Sequence, residues 1–381
     1  MNRFLSPIVT LLFAAGAAGC VSLHLEPLSH VDVFSSGEDG YNTYRIPVIE
    51  TAPDGTLLVF TEARKYSSHD PGLQGNDIDL VSKHSHDGGK TWSEMRVIDD
   101  PGERWSACNP ATLVDRDTGY VWLFHARTKP DRSSSTSRPG TDDSQAWARY
   151  STDNGRTWSE PQDMTKVTRD FERWGSAFFG PGGAIQSSSG RLIVPLATTT
   201  GVTEAQGSVS GGGWTAFVIY SDDHGKTWQR GELVPSPRTS ENQVIELADG
   251  TLLMDARQKS GIPNRWFVTS TDGGATWTEP KAGQTVPPIA AAIERYSRQS
   301  AGDERDRIVW TGPKGPGRQT LVLRASYDEG KTFVNERVIS SDKAAYSDLT
   351  VLDDKSVGVI WERGGYAYIT YSRFTLDFLE P

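Results

Sequence analysis

Basic charge is in short supply. Lysine and arginine number 39 against 49 aspartates and glutamates, a formal charge of −10 over 381 residues. No lysine- or arginine-rich run is present to follow a phosphate backbone, so nucleic acid is not an expected partner. Cysteine is almost absent. Cys20 and Cys108 are the only two, too few for a disulfide framework, and no histidine stands where it would pair with Cys108 as a nucleophile. The seven histidines lack ligand spacing and there is no cysteine cluster, so neither a metal nor another cofactor is expected. The apolar run from Ile8 to Ala18 falls short of the ~20 residues that span a bilayer. Stretches of helical period are scarce, which excludes a helical bundle.

What is abundant suits short strands and tight turns: 38 glycines, 21 prolines and 12 tryptophans. The strongest signal is an internal repeat, S-x-D-x-G-x-T-W, at Ser85–Trp92, Ser151–Trp158, Ser221–Trp228 and Ser270–Trp277. A fifth copy, Ser326–Phe333, replaces the tryptophan with phenylalanine. Its aspartates, Asp87, Asp153, Asp223, Asp272 and Asp328, recur every 49 to 70 residues, a spacing that suits one four-stranded unit each. Each copy reads as a hairpin: the aspartate bonds amides two residues on, the glycine supplies a positive-φ position, and the tryptophan packs beneath the turn. Equivalent copies spread round a ring cannot share one site, so these aspartates are read as structural. A second pattern, a D-G or S-G turn before an apolar strand, appears at Asp54-Gly55, Ser189-Gly190 and Asp249-Gly250 and pairs the first two strands of a unit. Five boxes and the box-free stretch from Ala345 to Phe374 predict an all-β, six-bladed β-propeller with Asp-box hairpins. Its ring would be closed by mixing N- and C-terminal strands. The polar stretches 130–144 and 201–213 read as loops within one domain, 30–381.

The N-terminus reads as a processing segment. Arg3, the apolar run and then Ala17-Ala18-Gly19-Cys20 resemble a lipoprotein signal with its lipobox, which makes 1–19 a signal peptide, Cys20 the lipidation site and 20–29 a tether. The expected location is the bacterial cell envelope, with the membrane met only through the lipid. An ordinary signal peptide and secretion are the alternative. A monomer is expected.

Beyond the boxes, Tyr44-Arg45-Ile46-Pro47, Glu241 followed by Asp255-Ala256-Arg257, Arg318, Ala345-Tyr346-Ser347-Asp348 and Trp361-Glu362 occur in that order. Over residues 40 to 375 this set resembles the Asp-box sialidases. The resemblance implies a retaining exo-α-sialidase acting on sialylated glycoproteins, glycolipids or oligosaccharides. It maps the nucleophile to Tyr346, its base to Glu241, and a triad that binds the substrate carboxylate to Arg45, Arg257 and Arg318. Arg64 would contact the sugar and Glu362 would brace Arg45. Asp70 is the candidate acid, with Asp77 and Asp79 nearby as alternatives, although Asp79 sits in an alternating run that reads as strand. Trp105–Pro110 and Gly180–Gln186 resemble segments of the active face.

The chemistry is coherent. Guanidinium groups stay charged and grip a carboxylate through two parallel hydrogen bonds. A tyrosine nucleophile is a noted exception among retaining glycosidases. It avoids bringing a second anion to a sugar that carries a carboxylate at the reacting carbon, a repulsion of about 4 kcal/mol at 4 Å and an effective dielectric of 20. Two other readings share the motifs in part. One is a trans-sialidase or anhydro-forming sialidase on the same site; the other is a non-catalytic Asp-box propeller that binds cell-surface glycans.

Overall fold

The computed structural model describes residues 27–200, 213–236 and 238–380. The leader 1–19, Cys20, most of the tether and all but the last residue of the 201–213 loop lie outside them. The chain is all-β, as predicted. Among the described residues, α-helix is confined to Thr165–Thr168 and Leu376–Leu379. Among the same residues the strands form four sheets of seven, five, nine and four members.

The sheets are built from consecutive antiparallel meanders. Thr43–Thr51 pairs with Leu57–Arg64, then Ile78–Ser85 and Arg96–Asp99. Thr239–Glu246 pairs with Leu252–Gln258, Trp266–Ser270 and Lys281–Ala282 in the same way. At the C-terminal end, Val334–Val351 pairs with Val357–Arg363 and then Tyr368–Phe374. The first strand, Ser29–Ser35, adds to Tyr368–Phe374, so the N-terminus completes the last meander. The predicted D-G turns sit between the strands they were expected to join; Thr56 N–H donates to the Asp54 carboxylate (3.0 Å) and Thr251 N–H to that of Asp249 (2.9 Å).

The repeat works differently in detail from the sequence reading. The box aspartate catches the threonine four residues on: Thr91 N–H donates to Asp87 Oδ1 at 2.9 Å and Thr91 Oγ1 to Oδ2 at 2.7 Å. The nearer amide is taken by the box serine, whose Oγ accepts from Gly89 N–H (2.9 Å) and donates to Asp87 (2.8 Å). Serine and aspartate divide the turn between them, and the other four boxes repeat the threonine bond. The glycine has a second duty. A Cβ on Gly225 (φ +81°) would lie 2.3 Å from Trp122, and one on Gly89 (φ +86°) 2.0 Å from Tyr371. Each of these boxes therefore presses on the meander before it, and the first presses on the last. The box tryptophans follow: Trp158 meets Phe60 edge-on at 5.7 Å and Trp92 meets Tyr371 at 5.4 Å.

The leading strands of several meanders slip register at one end. Bulges fall between Arg45 and Val48, Cys108 and Ala111, Thr239 and Asn242, and Ala344 and Ser347. Ile46 (φ +58°) and Asn109 (φ +51°), each followed by proline, take the left-handed region there. For a β-branched isoleucine that conformation is strained. A bulge re-aims side chains, and these bulges carry the residues of the site.

Candidate active site

A cavity of about 500 Å³ opens where the bulged strand ends converge, lined by Arg45, Arg64, Asp70, Glu241, Arg257, Arg318 and Tyr346. These seven are drawn from positions up to 301 residues apart in the chain. Glu362 lies just behind them, buried.

Glu362 holds the cluster by its backbone and by one guanidinium. Its carboxylate accepts from Arg45 Nε (3.0 Å) and Nη2 (3.3 Å), from Ile46 N–H (2.9 Å) and from Tyr346 N–H (3.1 Å). The bulges at Arg45 and Tyr346 turn those two amides inward, and one buried carboxylate takes both. Around the Tyr346 ring stand all three arginines, with Arg45, Arg257 and Arg318 Cζ at 5.3, 6.0 and 5.2 Å from its centroid. The Tyr346 hydroxyl donates to Glu241, and Arg257 Nη1 donates to the same hydroxyl at 2.6 Å while also pairing with Glu241.

The electrostatics follow from burial against charge. Burial raises the Tyr346 phenol, and it stays above its ordinary range although Arg257 opposes the shift. Burial also works to raise Glu241, but the Arg257 charge overrides it and leaves that carboxyl below its usual value. Asp70 is similar: the water it loses beside the cavity wall pushes it up, Arg64 and then Arg45 pull it down, and the carboxyl ends low. Its oxygen accepts from Arg64 Nη1 at 3.1 Å and Arg45 Nη1 at 3.3 Å, while the side chain is 65% exposed at the mouth. The alternatives are placed elsewhere. Asp77 pairs with Lys65 (2.9 Å), Asp79 accepts from the Tyr41 hydroxyl (2.6 Å), and neither lines the cavity.

Several contributors were missed in the sequence. Glu62 is fully buried and accepts from Arg64 Nη2 at 2.6 Å and Asn109 N–H at 2.9 Å. Its Glu-x-Arg spacing puts both side chains on one strand face, which the alternation of a strand could have suggested. Tyr366, in the turn after Glu362, lies under Arg45 at 4.3 Å from ring centroid to Cζ. Lys259 lines the cavity with its Nζ 3.8 Å from the Trp214 ring centroid. Gly180–Gln186 needs correcting. Gly183 to Gln186 line a separate cavity of about 610 Å³ shared with Glu50, Glu294 and Arg116. The segment reaches it because Gly182, packed where a Cβ would be 1.7 Å from Gln243, runs parallel to Ala111–Thr112 through the interior.

Cys108 is free, and burial raises its thiol, so it is inert as a nucleophile. Among the described residues one group, Asp115, Asp117 and His224, brings metal-ligand atoms within 4.8 Å. Gln186 Nε2 already donates to both of its carboxylates at 2.9 Å.

Known proteins resemble this chain in sequence and in fold. The model of the BNR repeat-like domain matches residues 55–359. A sialidase of Micromonospora viridifaciens is 31% identical over 93% of this chain, and the chain spans 55% of that protein's length. Among solved structures, a Hadza microbial sialidase superposes with a TM-score of 0.81 at 28% identity, covering 91% of this chain and 68% of the other. The intramolecular trans-sialidase of Ruminococcus gnavus shares the fold, with a TM-score of 0.76 at 20% identity over 92% of this chain and 98% of its own. The chain belongs to the BNR-repeat, Asp-box family of sialidases.

Proposed function

We propose that this protein is a retaining exo-α-sialidase built as a single six-bladed β-propeller. What carries the reading is Tyr346 sharing its hydroxyl with Glu241 and Arg257 inside a ring of three arginines. Support for the blade count comes from the meanders, the repeated box packing and the N-terminal strand that joins the last sheet. Residues 1–19 as a signal peptide, lipidation at Cys20, an envelope location and a monomeric state belong to the same proposal.

The raised Tyr346 phenol keeps its proton, so an incoming carboxylate meets three cations and no phenolate. Arg45, Arg257 and Arg318 take that carboxylate. Glu241, a carboxylate held low by Arg257, accepts the phenol proton as Tyr346 Oη bonds to the anomeric carbon. Arg257, already 2.6 Å from Oη, stabilises the negative charge that develops there. Asp70 must protonate the leaving oxygen, yet before substrate binds Arg64 and Arg45 favour its ionised form. The substrate carboxylate resolves this: it engages Arg45 and adds a negative charge beside Asp70, and both changes raise that carboxyl toward protonation. In the second half, water loses a proton to Asp70 and displaces Tyr346, which recovers its proton from Glu241. Two inversions give retention.

Release of 4-methylumbelliferone from its α-sialoside, and of sialic acid from sialyllactose, tests the reading. Tyr346→Phe is expected to lose turnover on both. Asp70→Asn is expected to lose about 10²–10⁴-fold on sialyllactose, whose leaving group needs protonation, and far less on the aryl sialoside. A folded parent with no release from either overturns the proposal in favour of a glycan-binding propeller, and an anhydro or transferred product shifts it to the trans-acting enzymes.

A further inference from the structure

The three arginines are not braced alike. Arg45 has Glu362 and Asp70, and Arg257 has Glu241 and Tyr346. Arg318 has no carboxylate partner among the described residues. Its guanidinium makes one side-chain hydrogen bond, from Nη1 to the Tyr366 hydroxyl at 2.9 Å. The same ring lies 4.3 Å from Arg45 Cζ and 5.9 Å from Arg318 Cζ, so one phenol contacts two arginines of the triad.

Tyr366 is held firmly for this. It sits at φ +76° in the turn after Gly364 and Gly365, both also at positive φ, between the strands Val357–Arg363 and Tyr368–Phe374. Its carbonyl accepts from the Ser36 hydroxyl at 2.6 Å, which ties the turn to the end of the first strand. The ring packs on the cluster of Ile46, Ala345 and Tyr346. A bulky residue in the left-handed region needs such support from its surroundings.

We propose that Tyr366 is a positioning residue that orients Arg318 without neutralising it. A carboxylate brace fixes a guanidinium but cancels much of its charge for a third group. A phenol hydroxyl accepts the hydrogen bond, carries no formal charge, and leaves the cation available to an anionic ligand. Arg318 is thereby the arginine of the triad with the most charge to offer the substrate carboxylate. The inference rests on the reading of that triad given above.

The test measures binding of free sialic acid and of its methyl ester, in which the carboxylate is masked, to the mature protein by calorimetry, alongside kcat and KM. Tyr366→Phe keeps the ring over Arg45 and removes the acceptor for Arg318. It is expected to weaken acid binding about tenfold, as for one hydrogen bond to a charged group. Ester binding and Tm should not change, and KM should rise with kcat nearly constant. Tyr366→Glu, which gives Arg318 a counter-charge, is expected to bind the acid more weakly still and the ester as before. If the parent prefers the acid and Tyr366→Phe keeps that full preference, the inference is overturned and the triad stands. If the parent itself shows no preference for the acid, the triad reading falls and this inference with it.

Discussion

At the scale of single residues the site depends on who shares a carboxylate with whom. Glu362 serves two backbone amides and one guanidinium at once, so it sets the position of Arg45 and Tyr346 together. Removing one partner of a buried pair leaves the other charge uncompensated, a loss of about 3–5 kcal/mol. Glu362→Ala is therefore expected to lower the midpoint of denaturant unfolding by a corresponding amount and to abolish turnover even where the fold survives. An unchanged midpoint would mean that Arg45 finds another partner, with Asp70, already 3.3 Å away, the first to examine. Glu62 makes the matching arrangement for Arg64. The two buried glutamates thus form a floor from which Arg45 and Arg64 reach into the cavity.

At the scale of elements the Asp box is a spacer between neighbouring meanders as much as a turn. Two glycines separate these roles. Gly225 and Gly250 share a positive φ, +81° and +85°, but a Cβ at Gly225 strikes Trp122 at 2.3 Å whereas one at Gly250 meets nothing within 4 Å. Gly250→Ala should cost only the conformational term, about 1–2 kcal/mol. Gly225→Ala should cost that plus an overpacking term of about 1–3 kcal/mol. Equal losses in thermal or denaturant unfolding would mean the box is only a turn. The repeats were legible because a hairpin writes its turn chemistry locally; the strands, the D-G turns and the all-β class could all be read in this way. The packing of a box on the preceding meander was not, because nothing in S-x-D-x-G-x-T-W names the Trp122 or Tyr371 it will meet. The site divides along the same line. Arg45, Glu241, Arg257 and Tyr346 stand in short motifs, whereas Tyr366 follows two glycines in what reads as an ordinary turn, and its partner Arg318 is 48 residues away.

At the scale of the whole molecule the interior is polar as well as apolar. Gln243 Nε2 donates to Asp348 Oδ1 (2.9 Å) and Gln243 Oε1 accepts from Ile293 N–H (3.0 Å), which ties the leading strands together between the two cavities. Beyond this belt, Glu50 and Glu294 line the second cavity. Burial raises both carboxyls from 4.5 to about 8; Asp348 reinforces the shift at Glu50, and Glu50 and Asp348 reinforce it at Glu294. A carboxyl that holds its proton more tightly in the folded chain adds stability that is complete below the unfolded pKa and is lost as pH rises through the folded one. Glu50 and Glu294 therefore favour the fold up to about pH 4.5 and progressively less toward pH 8. The box aspartates act in the opposite sense. Asp153 and Asp223 are lowered to about 2, chiefly by hydrogen bonds from Thr157 and Thr227, so their contribution is present above 3.8 and lost as pH falls. Taken alone these groups favour the fold most on the acid side of neutrality, while His30, His84 and His125, lowered chiefly by burial, add stability as pH rises through 6.5. Thermal unfolding of the parent should show Tm declining from about pH 6.5, above the histidine range, to pH 8, and Glu50→Gln combined with Glu294→Gln should flatten that decline, because an amide has no proton to lose. The slope is the readout, so a uniform change in Tm from the substitutions does not disturb it. If the double variant keeps the parent slope, the two glutamates are ionised in the folded protein at neutral pH, and the second cavity admits enough water or counter-charge to hold them so.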